Sequence, residues 1–121
     1  MIGYLLVATT VLLTVYGQFV IKWQVAMAGP IPAGLDQKAI YIFHLLTNPW
    51  IASGLLAALV ASVAWMLALT KLPLSVAYPF TAFAFVIVVL GSGVLFAEPI
   101  STAKMLGVCL IVAGIVVAGL N

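Results

Sequence analysis

"YGQFVIKWQ", residues 16–24, closes the first long apolar run of the chain and carries polar groups that a lipid-like segment should lack. Residues 1–21 contain no charged side chain, and then Lys22 and Trp23 arrive together. The same punctuation recurs along the chain. The charged residues are Lys22, Asp36, Lys38, Lys71, Glu98 and Lys104, leaving charge-free runs at 1–21, 39–70, 72–97 and 105–121. A helix needs about 20 residues at ~1.5 Å each to cross a hydrocarbon core of ~30 Å. Four spans follow, at about residues 2–25, 49–70, 73–97 and 102–120.

Composition points the same way. The 121 residues are 67% hydrophobic and 5% charged, with a mean hydropathy of +1.40. Soluble domains carry roughly 25% charged residues, so this chain cannot cover itself with a hydrated surface. The fold class is all-α integral membrane: one four-helix transmembrane domain over residues 1–121. A net charge of +2 spread over four lysines makes no basic patch, which excludes nucleic acid as a partner. Cys109 sits alone inside the last apolar run and reads as a packing residue. "VAMAG", residues 25–29, resembles a signal-peptide cleavage site, but the residues ahead of its apolar run hold no Lys or Arg and Lys22 stands just before it. The first run is therefore expected to be a retained span.

The connections differ in length. Spans 2, 3 and 4 are joined by a few residues each, which makes them antiparallel neighbours. Spans 1 and 2 are separated by "AGPIPAGLDQKAIYIFHLLTNP", residues 28–49. Gly29, Pro30, Pro32 and Gly34 break the first helix, Asp36 is placed to cap a short segment of about 36–46, and Asn48 and Pro49 end it. Ala39, Ile42, Phe43 and Leu46 share a face, which predicts a helix lying in the membrane interface. His44 has no second ligand within reach in sequence, so no metal site is expected there. With the Met1 face called side A, Trp23 and Trp50 both fall at side B and Tyr4 at side A, as interfacial aromatic belts require. Lysines divide three to one in favour of side B, too small a bias to set the orientation.

On span 1, Thr10, Thr14, Gln18 and Lys22 recur every four residues and form a slowly drifting stripe. Threonines can bond back to their own helix and a terminal lysine can snorkel, but the amide of Gln18 cannot satisfy itself. Span 3 adds Ser75, Tyr78 and Thr81 at intervals of three. Pro79 removes an internal hydrogen bond and predicts a kink, and Gly91, Ser92 and Gly93 predict a second flexible point. Kinked helices at membrane depth line cavities or protein contacts. Spans 1 and 3 both enter at side A, so the polar groups make a ladder across the bilayer, and Lys22 and Glu98 finish on the same side with Lys104 near. Span 4 offers only small residues, Gly107, Ala113, Gly114 and Ala118, a pattern suited to a seam with a second chain. No nucleotide-binding loop, metal-ligand spacing or nucleophile with its base is present in the sequence. Neither an enzyme nor a cofactor is expected.

Taken in order, "GQFVIK" (17–22), "LPLSVAYP" (72–79), "AEP" (97–99) and "GVCLIVAGIVV" (107–117) resemble the drug/metabolite transporter superfamily, over the whole chain except the longer 29–48 connection. Two branches are candidates. The small multidrug resistance exporters share the span 4 pattern, which forms their dimer contact. They hold a proton-exchanging glutamate three residues before the span 1 glycine, where this chain has Thr14. The second branch, subunits that flip aminoarabinose-phosphoundecaprenol across the bacterial inner membrane, is the more similar. It matches at Gly17, Gln18, Lys22, Ala77, Tyr78, Pro79, Glu98 and Pro99. That resemblance implies a flippase for a polyprenyl-phosphate glycolipid, surrounded by membrane lipids and working as a homodimer or as a heterodimer with a similar subunit. The polar ladder then makes Thr10, Thr14, Gln18, Lys22, Ser75, Tyr78 and Glu98 the expected substrate contacts, with Lys22 facing the phosphodiester. An exporter of small soluble compounds and a non-transporting partner subunit are the alternatives.

Overall fold

A computed structural model describes residues 1–120. It contains six helices: α1 (Ile2–Ala28), α2 (Leu35–Thr47), α3 (Pro49–Leu69), α4 (Leu74–Thr81), α5 (Phe83–Leu95) and α6 (Thr102–Gly119). Four segments are long and apolar enough to cross a membrane: α1, α3, α4 with α5, and α6. This is a multi-pass all-α membrane protein, as composition required.

α1 runs three residues beyond the expected Val25, because nothing stops it before Gly29, whose φ of +86° suits a residue without a Cβ. α2 forms where the connection was expected to be helical, though Asp36 does not cap it. Gly34 holds the N-cap and Asp36 lies in the first turn, where its charge meets the positive helix end. The Asn48 side chain accepts hydrogen bonds from the backbone N–H of Trp50 (2.8 Å) and Ile51 (3.3 Å). With Pro49 at the first helical position, these bonds make Asn48 the start signal of α3.

The tightest packing joins α1 to α3. The inward face of α3 is Ile51, Gly54, Ala57, Ala61, Ala64 and Ala68, almost all small. Small residues let helix backbones approach in lipid, where the hydrophobic effect does not drive helices together. At Gly17 the approach is close enough that a Cβ would stand 3.0 Å from the Gly54 carbonyl oxygen. Val7, Val11 and Val15 of α1 then meet Ala68 and Ala77 in the best-buried cluster. Span 3 and α6 are held more loosely: 6% and 11% of their spanning windows are buried, against 28% for α1 and 33% for α3.

Span 3 is broken, but not where the proline stands. Pro79 lies within α4 and the discontinuity falls at Ala82. Pro79 has no N–H to return to the preceding turn. The backbone tightens after it, with Ala82 N–H donating to Pro79 O and Phe85 N–H to Ala82 O, each at 3.1 Å. Gly91-Ser92-Gly93 does not break the helix, and α5 continues through it to Leu95. The two glycines are packing sites instead. A Cβ on Gly91 or Gly93 would come within 2.3 Å of the Phe19 ring or the Ile100 side chain. After α5 the chain turns sharply. Phe96 and Glu98 N–H both donate to Ser92 O, while Ala97 takes φ +53°, a left-handed conformation that costs an alanine about 1–2 kcal/mol.

The Gly17–Gly54 contact has a direct consequence. Gly17→Val should lower stability by about 1–3 kcal/mol through overpacking, read as a reduced midpoint of thermal unfolding in detergent followed by circular dichroism.

Candidate functional site

The stripe on α1 advances by about 40° with each four-residue step, so its members meet different neighbours. Thr10 is buried. Its hydroxyl donates to Leu6 O at 2.9 Å and reaches Ala61 O of α3 at 3.4 Å. Thr14 and Gln18 turn toward span 3. There, with Thr10 and with Thr81 from across the gap, they line a cleft of about 440 Å³ whose remaining walls include Val11, Phe85 and Val88. Among the described residues, neither the Thr14 hydroxyl nor the Gln18 amide has a hydrogen-bond partner. Lys22 leaves the cleft and pairs with Glu98, Nζ to Oε1 3.4 Å.

The break at Ala82 shapes the opposite wall. Ser75, Tyr78 and Thr81 were expected on one face, yet steps of three turn a helix back by about 60° each. Thr81 alone lines the cleft. Tyr78 is exposed and sets its ring edge-on to Trp65, centroids 6.0 Å apart, and Ser75 is also exposed. The structure thus joins Thr10, Thr14 and Gln18, adds Thr81, and leaves Ser75 and Tyr78 outside.

Depth along α1 follows from ~1.5 Å per residue: Thr10 about 12 Å from Ile2, Gln18 about 24 Å and Lys22 about 30 Å. Trp23 and Trp50 pack edge-on at 5.4 Å and mark the side B border beside Lys22. A smaller hollow of about 240 Å³ lies at that end, lined by Ser92, Glu98, Pro99 and Lys104. It shares Val88 with the main cleft. Lys104 Nζ lies 3.5 Å from Pro99 O. The cleft is therefore uncharged, with hydroxyl and amide groups on apolar walls, and the opposed charges stand at its side B end. An ion pair half open to its surroundings stabilises the fold by under about 1 kcal/mol.

One polar pair escaped the sequence pattern. Gln24 is buried on α1 and accepts a hydrogen bond from Asn48 Nδ2 at 3.0 Å. It lies off the four-residue stripe, on the face toward α3. Its only signal was an amide just past a tryptophan and an asparagine before the next proline. Gly107 and Gly114, the proposed seam on α6, have open space where a Cβ would stand, and Ala113 and Ala118 are exposed. The glycine-to-glycine contact among the described residues is between Gly17 and Gly54.

Four helices long and apolar enough to span a membrane, an uncharged polar cleft between the first and third spans, and an ion pair near one end define a small polytopic membrane protein. No family model matches the chain, and no solved structure matches it. Curated proteins do. A probable 4-amino-4-deoxy-L-arabinose-phosphoundecaprenol flippase subunit ArnE from Serratia proteamaculans is 34% identical over 120 residues, covering 99% of this chain and 97% of the relative. A subunit ArnE from Salmonella newport is 34% identical over 119 residues, covering 98% and 97%. A subunit ArnF from Aeromonas hydrophila is 33% identical over 121 residues, covering 98% of this chain and 80% of the relative. The chain belongs to this family of flippase subunits.

The hydrogen-bond pattern separates structural from available polar groups. Thr14→Val and Gln18→Leu should each change stability by less than about 0.5 kcal/mol, whereas Asn48→Ala should cost about 1–2 kcal/mol through loss of the cap and of the partner to Gln24. Thermal unfolding of the three variants side by side checks the contrast.

Proposed function

We propose that the chain is one subunit of a flippase that moves an undecaprenyl-phosphate-linked monosaccharide across the bacterial inner membrane. The observation that carries this reading is the cleft between α1 and span 3, where Thr14 and Gln18 present polar groups that have no hydrogen-bond partner among the described residues. A polyprenyl tail can stay in lipid during transfer, so the protein has only the headgroup to shelter. Moving a polar group into hydrocarbon without a hydrogen-bond partner costs several kcal/mol, and the cleft supplies such partners. Its hydroxyls and amide suit sugar hydroxyls, and Lys22 suits the phosphodiester as a point charge. Ser75 and Tyr78, outside the cleft, would meet substrate only at its side A margin. The names of the relatives describe a lipid-linked amino sugar and a subunit, which supports transport rather than catalysis. The word subunit also supports a companion chain, which we take to be identical or similar to this one. Gly107, Ala113, Gly114 and Ala118 on α6 are our proposed contact with that chain.

Export of small soluble compounds by proton exchange fits less well, because Thr14 stands where that mechanism places its carboxylate. The test is translocation in proteoliposomes containing the chain and its companion subunit, using a labelled undecaprenyl-phosphate pentose. Gln18→Leu and Thr14→Val should each slow transfer roughly fivefold, the effect of one lost hydrogen bond. Unchanged transfer in both variants would remove the cleft from the path.

A further inference from the structure

The Lys22–Glu98 pair has features that a plain structural bridge does not need. It stands at the depth of Trp23 and Trp50, the level at which aromatic belts meet lipid headgroups. A lipid phosphate beside α1 would therefore lie level with Lys22. Both side chains are about half exposed, 54% and 42%, so a ligand can reach either one. Glu98 is presented by a turn whose preceding residue, Ala97, holds the strained φ of +53°. Strain of this kind persists only where the surroundings enforce it and gathers at working sites. Beside the carboxylate lies a hollow of about 240 Å³ walled by Ser92, Pro99 and Lys104.

We propose that Lys22 and Glu98 form a two-charge reader for a zwitterionic headgroup, with Glu98 selecting an ammonium-bearing sugar over a neutral one. The inference rests on the flippase reading above and names which part of the headgroup each residue meets. The relatives' names describe a sugar with one amine joined through phosphate to a polyprenol. Such a headgroup carries one negative and one positive charge a single sugar ring apart. Lys22 takes the phosphodiester and Glu98 takes the ammonium, so the pair opens without leaving either charge unpaired. A neutral sugar opens the same pair but offers the carboxylate no ammonium in place of Lys22. An exposed pair of this kind stabilises the fold only weakly, so opening it costs little, and the sugar's remaining hydroxyls then face Ser92 or the main cleft.

The chain together with its companion subunit in nanodiscs is titrated with three synthetic polyprenyl-phosphate pentoses: one with an amine, one with a hydroxyl at that position and one with the amine acetylated. Binding is read by native mass spectrometry. The intact chain should prefer the amine lipid over the other two by roughly fivefold, the scale of one exposed charge pair. Glu98→Gln should bring that ratio to about one, Glu98→Asp should keep most of it, and Lys22→Gln should weaken all three lipids alike. The acetylated lipid removes the same charge from the ligand side, so the comparison stands even where a variant folds poorly. Equal binding of all three lipids by the intact chain overturns the inference and leaves the flippase reading in place. A preference that survives Glu98→Gln overturns it too. Binding of none of the three, against a background of ordinary phospholipid, overturns both.

Discussion

In hydrocarbon a polar group has no water to fall back on, so each must find a partner within the protein or be met by something arriving from outside. That constraint orders the whole chain. Backbone groups are met by helix formation. Thr9, Thr10, Ser62 and Ser92 return their hydroxyls to carbonyls of the preceding turn. Gln24 is met by Asn48, and Tyr16 by Ser53 at 2.9 Å. Once these are taken away, Thr14 and Gln18 remain in the cleft without partners among the described residues. These left-over groups are the ones we propose meet the substrate.

The cleft exists because two packing arrangements differ in tightness. α1 and α3 close on each other through glycine and alanine, and the valines of α1 lock into that seam. Span 3 cannot follow the same path, since Pro79 removes a backbone donor and the helix shifts at Ala82. From there α5 approaches α1 through the Phe19 ring seated on Gly91. A ring in place of a backbone contact holds the helices apart and leaves room beside Thr14 and Gln18. The same spacing leaves the side B end open, where Lys22 and Glu98 meet.

Much of this was legible from residues alone. The charge gaps and the tryptophan pair marked the four spans and the border at Trp23. The side B meeting of Lys22 and Glu98 followed from span direction and length. Gln18 stood out as an amide that could not satisfy itself. Less was legible in span 3. Ser75, Tyr78 and Thr81 read as one face, but the turn back at each step and the break at Ala82 sent only Thr81 to the cleft. Gly91 and Gly93 looked like a hinge, and their role as seats for Phe19 and Ile100 depends on side chains far away in sequence.

Hydropathy, length and capping act over a few residues, so the chain's order of residues settled its membrane class, its spans and the stripe on α1 without further help. Which small residues form the internal seam, which polar groups are consumed by neighbours and which stay free are products of contact between spans. Alanines and glycines on α3 and α6 read alike in one dimension. Only the three-dimensional arrangement placed the first against α1 and left the second facing outward, because close approach depends on the phase and tilt of two helices at once.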